Sequence, residues 1–361
     1  MERRHHEMDF GLEGGETFEP REVVFGEVDT SKPYVMTVLG PIQPDELGVC
    51  LPHEHVLCDP QAVSEVESDC RLDDRLAMQA ELDAWSQVGG ASIVDASTPD
   101  YGRDATGLHW LALRSPTHLI MVSGRHRALH SERFGPSLSC EELRDEIVRE
   151  FRGGVGPDAI RPGLIKFGTS LHTIYPIEER AAIAAAQAAR MTGLPITTHT
   201  EAGTMATEQL DLIERAGLSP RRVILGHLDG SMDYGYFREV LERGAWVSFD
   251  QIGKASNGSD GTKADMLARL INDGYGGRLL ISMDLARKSH FPVFGGGPGW
   301  THMLQRFTLT LLDAGLDANV VRQLMVTNPM VALSIDPSPS ASADDTAAGR
   351  SQLVPGTHVR D

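Results

Sequence analysis

The sequence predicts an α/β fold, a single (β/α)8 TIM barrel, on three observations. Short β-branched or apolar runs alternate with longer amphipathic segments through the middle of the 361-residue chain, as expected of βα units around a parallel sheet. Eight such runs can be counted. A doubly wound open sheet, the competing arrangement, would normally carry a glycine-rich phosphate turn after its first strand, and none is present.

Residues 1–33 are polar and acidic, read as an N-terminal extension with little core-forming content and no apolar stretch of the kind a secretory signal needs. The barrel itself is expected over 34–335. Its eight strands fall at 48–53, 91–96, 118–123, 163–168, 195–199, 222–227, 245–250 and 278–284. Helices are clearest at 72–88, 141–151 and 177–191, where apolar residues recur every three or four positions; the last is rich in Ala, and Gly193 stands where a helix C-cap would. From 336 to 361, Ser, Ala, Asp, Thr, Pro and Gly dominate, and this is read as a disordered tail.

Composition narrows the function classes. Hydrophobic content of 41% and charged content of 23% are ordinary for a soluble globular protein. A net charge of −18 with no basic patch argues against nucleic acid and against an anionic membrane surface. No apolar run reaches the roughly 18 residues of a membrane span. Cys50, Cys58, Cys70 and Cys140 show no C-x-x-C spacing and are read as reduced thiols of a cytoplasmic protein. Cys50 and Cys58 bracket the first histidine pair, where a buried structural role outweighs a ligand role.

The chemistry is expected at the C-terminal ends of the strands, where such barrels place their catalytic groups. The first run ends in His53-Glu54-His55. Alternate residues of a strand share a face, so His53 and His55 can present their imidazoles to one point, with Glu54 turned away. The fifth run ends in His199, the sixth in His227 and the eighth in Asp284, and Lys166 stands inside the fourth. Each alone reads as an ordinary core or surface residue; together they point to a metal site. A buried ammonium beside cations would be desolvated and repelled, so Lys166 is expected neutral. A neutral amine reacts with carbon dioxide to give a carbamate, whose two oxygens can bridge two divalent metals roughly 3.5–4 Å apart. A Lys166–Asp284 ion pair beside a single metal is the alternative.

With these residues in place, the chain resembles the phosphotriesterase-like branch of the amidohydrolase superfamily over about residues 35–335. The resemblance rests on Thr37-Val38-Leu39-Gly40-Pro41, Glu46-Leu47-Gly48, His53-Glu54-His55, Lys166, Thr198-His199-Thr200, Gly226-His227-Leu228-Asp229, Ser282-Met283-Asp284 and Asn328-Pro329. It implies one metal held by His53, His55 and Asp284 and another by His199 and His227, bridged by N6-carboxylated Lys166 and a hydroxide. The metals would be Zn, with Mn, Co or Fe also accepted by this donor set. A metal lowers the pKa of bound water to about 7. The implied reaction is attack by the bridging hydroxide, with Asp284 as proton acceptor and Asp284 and Lys166 as the catalytic groups.

The resemblance further implies a small-molecule substrate and a homodimer. Family members divide among phosphotriesters, lactones, carboxylic esters and some amides. Tyr101-Gly102-Arg103-Asp104 resembles a segment near the pocket of lactone-cleaving relatives, which makes Tyr101 and Arg103 candidate substrate contacts. Arg125-His126-Arg127 would add positive charge at the mouth, unless it is solvated rim charge. The segment 288–300, with four Gly and two Pro, is a candidate lid, with Phe291 and Trp300 as candidate pocket walls, barrel–loop packing being the alternative for both. The pattern departs at three places: Met283 precedes Asp284 where relatives often carry a polar residue, Gly230 replaces a relay acid, and the loop after Asp250 lacks a His. These departures favour hydrolysis of a lactone or carboxylic ester over a phosphotriester, with an N-acyl amide as the remaining alternative.

Overall fold

A computed structural model of the chain describes residues 28–60, 65–134 and 137–337. The expected extension and tail lie outside the described residues except for 28–33 and 336–337. An antiparallel hairpin, β1 (Val35–Thr37) and β2 (Gly40–Ile42), comes first. Eight strands follow: β3 (Cys50–Glu54), β4 (Ser92–Asp95), β5 (His118–Gly124), β6 (Leu164–Thr169), β7 (Ile196–Thr200), β8 (Val223–Gly226), β9 (Trp246–Phe249) and β10 (Leu279–Ile281). They pair in parallel, each with its neighbours in sequence. The edges β3 and β10 face one another across the seam, where the Asp284 N–H donates to the His53 carbonyl at 3.1 Å. The sheet is a nearly closed barrel, and each expected strand is present to within a few residues.

Helices fill the crossovers. They are α1 (Arg75–Gln87), α2 (Ala105–Ala112), α3 (Ala128–Phe134), α4 (Cys140–Gly153), α5 (Pro176–Thr192), α6 (Ala206–Arg215), α7 (Tyr234–Glu242) and α8 (Asp260–Asn272), followed by α9 (Thr308–Asp313), α10 (Ala318–Arg322) and α11 (Asn328–Ala332). The first helix starts later than periodicity alone suggests. Leu72 instead exchanges backbone hydrogen bonds with Cys58, and the Asp74 carboxylate caps α1 by accepting the N–H groups of Leu76 and Ala77. Gly193 does close α5, in the left-handed conformation at φ 75°, and the Asp336 carbonyl occupies the space a Cβ there would need.

Strand alternation sorts the core into two layers. Cys50, Val94, Ile120, Val122, Leu164, Ile224, Trp246 and Leu280 pack together inside the barrel, with Val35 and Ile42 of the hairpin among them. Leu51, Ile93, Leu119, Met121, Ile165, Leu225 and Val247 face the helices instead. Burying each such side chain contributes about 1.5–3 kcal/mol. The same period carries the inward face upward: Lys166 lies two residues beyond Leu164, and Gly226 two beyond Ile224. On β3 the register against β4 shifts between Leu51 and Glu54, a bulge of one extra residue. The bulge moves the inward face from Cys50 to His53 and pairs Glu54 with the outward-facing Asp95.

Candidate metal centre and active-site cavity

The polar strand ends converge on one mouth of the barrel. Potential ligand atoms of His53, His55 and Asp284 all lie within 4.8 Å of one another. The Lys166 ammonium nitrogen sits 3.2 Å from His53 Nε2, and the His53 ring is 4.8 Å from that of His227. His199 is 4.6 Å from His227, ring to ring. All six residues expected as ligands therefore share one site. The surrounding cavity, of about 300 Å³, is lined by His55, Lys166, His199, His227 and Asp284 among others.

Neighbours fix these side chains. His55 Nδ1 is 2.7 Å from Ser97 Oγ, and His227 Nδ1 is 2.7 Å from Asp250 Oδ1. Asp250 Oδ2 lies 3.4 Å from His53 Nδ1, though neither atom makes a hydrogen bond there among the described residues. Asp284, at φ 48°, accepts from Lys254 Nζ at 2.7 Å and from Gln251 Nε2 at 3.1 Å.

The electrostatics follow from burial and these contacts. Burial pushes the Lys166 ammonium down to about 8, against the pull of Asp284 and Asp250. Burial, reinforced by neighbouring cationic groups, holds His53, His126 and His199 well below the usual imidazole range. Burial would also depress His227, but Asp250 outweighs it and raises this one ring. Burial alone would raise Asp284; Lys254, His227 and His55 overcome it and hold the carboxyl well below its ordinary value. The donor set fits divalent cations: His53, His55 and His199 kept neutral by burial, an ionised carboxylate and an amine easily freed of its proton. His199 Nε2 agrees with that fit, being buried with no hydrogen-bond partner among the described residues.

The expected substrate contacts divide. Tyr101 lines the cavity, its ring 4.9 Å from His55 and stacked 5.0 Å from His126. Burial raises its phenol well above the usual value, so it stays a donor. Arg103 is placed elsewhere. Its guanidinium forks onto Glu150 at 2.9 and 3.0 Å and donates to the Val122 carbonyl at 2.7 Å, in an ion pair behind the strands. Trp300 does not line the cavity either; its indole N–H donates to Glu54 Oε2 at 3.0 Å and its ring packs edge-on against Phe291. Both aromatics are fully buried loop packing, the alternative to the pocket-wall role, and Trp300 is thereby corrected as a candidate substrate contact.

The Arg125-His126-Arg127 segment splits three ways. Arg125 pairs with Glu146, away from the cavity. Arg127 lines the cavity and lies 3.4 Å from Glu201. His126 also lines it, and its Nδ1 accepts the Arg127 N–H at 2.8 Å, leaving Nε2 to carry the ring proton. Lys254 and Arg287, with the imidazoles of His130 and His290, none of which the sequence singled out, complete the rim. Asp250 was legible only as the last residue of the seventh run. Cys50 packs inside the barrel and Cys58 approaches the Cys70 carbonyl at 3.5 Å, so neither bracketing thiol joins the ligand cluster.

Comparison with known proteins gives a consistent result. The model of the phosphotriesterase family matches residues 33–333. The chain is 31% identical over 286 residues to the phosphotriesterase homology protein of Escherichia coli, covering 79% of this chain and 97% of that one. It is 26% identical to an N-acetyltaurine hydrolase of Tetraodon nigroviridis, covering 82% and 96%, and 26% identical to a phospho-furanose lactonase of Mycoplasmopsis agalactiae, covering 84% and 92%. A solved lactonase from Listeria monocytogenes superposes with a TM-score of 0.80 at 28% identity, covering 84% of this chain and 99% of that one.

Proposed function

Because the chain belongs to the phosphotriesterase family and is a hydrolase, we propose that it binds two divalent metal ions and cleaves a lactone or carboxylic ester bearing an anionic group. The observation that carries the metal part is Lys166, a buried amine 3.2 Å from His53 at the centre of the ligand cluster. The substrate part rests on the rim, where Arg127, Lys254 and Arg287 converge on a cavity in a chain of net charge −18. Two of the named relatives carry anions in their substrates' names, a phosphate and a taurine sulfonate.

His53, His55 and Asp284 would hold one ion, His199 and His227 the other, and Lys166 would join both sets. Bound ions would supply Lewis acidity and a water acidified to about neutral pKa. Lys166 is suited to its part because a neutral amine adds to carbon dioxide, forming an N–C bond and releasing a proton, to give an anionic carbamate. Asp284, held ionised, takes the proton of the attacking water and returns it to the leaving alkoxide. Tyr101 and His126, whose rings lie against His55 and His199, offer donors to substrate oxygens. A homodimer and a cytoplasmic location complete the proposal; among the described residues no helix is long and apolar enough to cross a membrane.

A substrate panel on metal-replete protein tests this reading. Phosphorylated five-ring lactones should give the highest kcat/KM, above their dephosphorylated forms and aryl esters. Preference for N-acyl taurines would move the assignment to an amide hydrolase, which the relatives' names favour as second reading. Preference for paraoxon-type triesters would overturn the ester assignment, which Gly230 and a loop after Asp250 without a His support.

A further inference from the structure

The middle residue of the His53-Glu54-His55 motif is not idle. Three consecutive backbone N–H groups at the end of β10 are captured by two consecutive residues of β3. The Met283 N–H donates to Glu54 Oε1 at 2.7 Å, the Asp284 N–H to the His53 carbonyl at 3.1 Å, and the Leu285 N–H to Glu54 Oε2 at 2.9 Å. Two side chains add to the same carboxylate: Ser282 Oγ at 2.6 Å on Oε1 and the Trp300 indole N–H at 3.0 Å on Oε2. Glu54 and Ser282 are fully buried, and Trp300 with them.

The residue so enclosed is Asp284, held at φ 48°. A non-glycine residue persists in the left-handed region only where its surroundings over-determine it. Glu54 supplies that determination on both sides, through residues 283 and 285. The bulge on β3 makes this available: it turns Glu54 outward beside the seam while His53 and His55 point into the mouth.

We propose that Glu54 is a positioning residue that closes the barrel seam and sets the backbone of Asp284, so that its carboxylate meets His53 and His55 in metal-binding geometry. The inference rests on reading those three residues as one ion's ligands. Glu54 touches neither substrate nor ion, and its effect is exerted through the 283–285 backbone. Trp300 belongs to the same device, since its indole N–H fixes the far oxygen of the carboxylate.

The test is metal binding, not turnover. Metal-free wild type, Glu54→Gln, Trp300→Phe and Glu81→Gln are titrated with Co(II) against a chelator, following the visible absorption of the bound ion and the melting temperature. Glu81 is the control, a second buried carboxylate, which accepts the Val293 N–H at 2.8 Å in the same loop that carries Trp300. Glu54→Gln keeps the shape but presents an amide donor to backbone donors. It should weaken the ion of the His53, His55 and Asp284 set by about 10- to 100-fold, with a changed absorption band. Trp300→Phe should weaken it by about threefold or more, and Glu81→Gln should lower the melting temperature alone. Wild-type affinity and spectrum in folded Glu54→Gln would overturn the proposal. If that variant does not fold, unchanged affinity in Trp300→Phe overturns it and weakened affinity supports it. A wild type that binds a single ion refutes the two-ion function but leaves this comparison decisive for that ion, and a wild type that binds none refutes both.

Discussion

Replacing Arg103 with alanine strips a buried carboxylate of its partner. Arg103 and Glu150 are 5% and 13% exposed, and once the guanidinium with its two parallel hydrogen bonds of 2.9 and 3.0 Å is gone, Ser123 Oγ, at 2.7 Å, is the remaining hydrogen-bond partner of the Glu150 carboxylate among the described residues. Breaking such a pair by removing one member costs about 3–5 kcal/mol, because the survivor stays buried and charged. For a barrel of roughly 300 ordered residues the unfolding entropy is about 0.6 kcal/mol/K, so the melting temperature should fall by about 5–8 °C. Burial pushes the Glu150 carboxyl up, but Arg103 outweighs it and holds it below its ordinary value. A depressed carboxyl contributes stability that is present above its unfolded pKa near 4.5 and lost as pH falls through the folded value. The gap between wild type and Arg103→Ala should therefore be widest near pH 7 and close below about pH 4.5. Calorimetry across that range, with kcat/KM at the permissive temperature, gives both readouts. A melting temperature unchanged to within a degree, joined to a tenfold loss of kcat/KM, would refute the placement and return Arg103 to the substrate site.

Other outcomes follow from the same geometry. Asp250→Asn withdraws the carboxylate that orients His227 and should weaken metal binding by about 10- to 100-fold, measured by chelator competition. Arg287→Met should raise KM for an anionic substrate by about tenfold with little change in kcat, and a neutral ester should not respond; equal effects on both would remove Arg287 from the anion contacts. Metal-free protein should lose stability in acid. His53, His126 and His199 are kept neutral by burial, and His290 is pushed down to about 4, so the unfolded chain binds more protons. Their contribution is complete above pH 6.5 and lost from there toward about pH 4. Denaturant melts flat between pH 7.5 and 5 would contradict it.

The parts of the structure that repeat were legible in the chain, and those that depend on distant partners were not. Eight strands could be counted because a strand inside a closed barrel must be apolar on both faces, and each ends in a change of residue type. The β1–β2 hairpin escaped notice because each strand is three residues long and the second carries Gly40 and Pro41. The candidate ligands stood out because His, Lys and Asp are costly to bury without a partner or an ion. Arg103 and Trp300 were misplaced for one reason. An arginine beside an aspartate looks like a surface or pocket group until Glu150, 47 positions on, is seen to claim it. Trp300 is claimed by Glu54, 246 positions away. The bulge on β3 was likewise hidden, since pairing register is a property of two strands.

The account turns on how many metal ions the wild-type chain holds and on what Lys166 contributes to holding them. Metal analysis of purified, metal-replete wild type and Lys166→Ala decides it. Two ions per chain in the wild type, fewer in the variant, and recovery when a short carboxylic acid is supplied are the predicted result. A single ion in the wild type, with Lys166→Ala indistinguishable from it, would contradict the account.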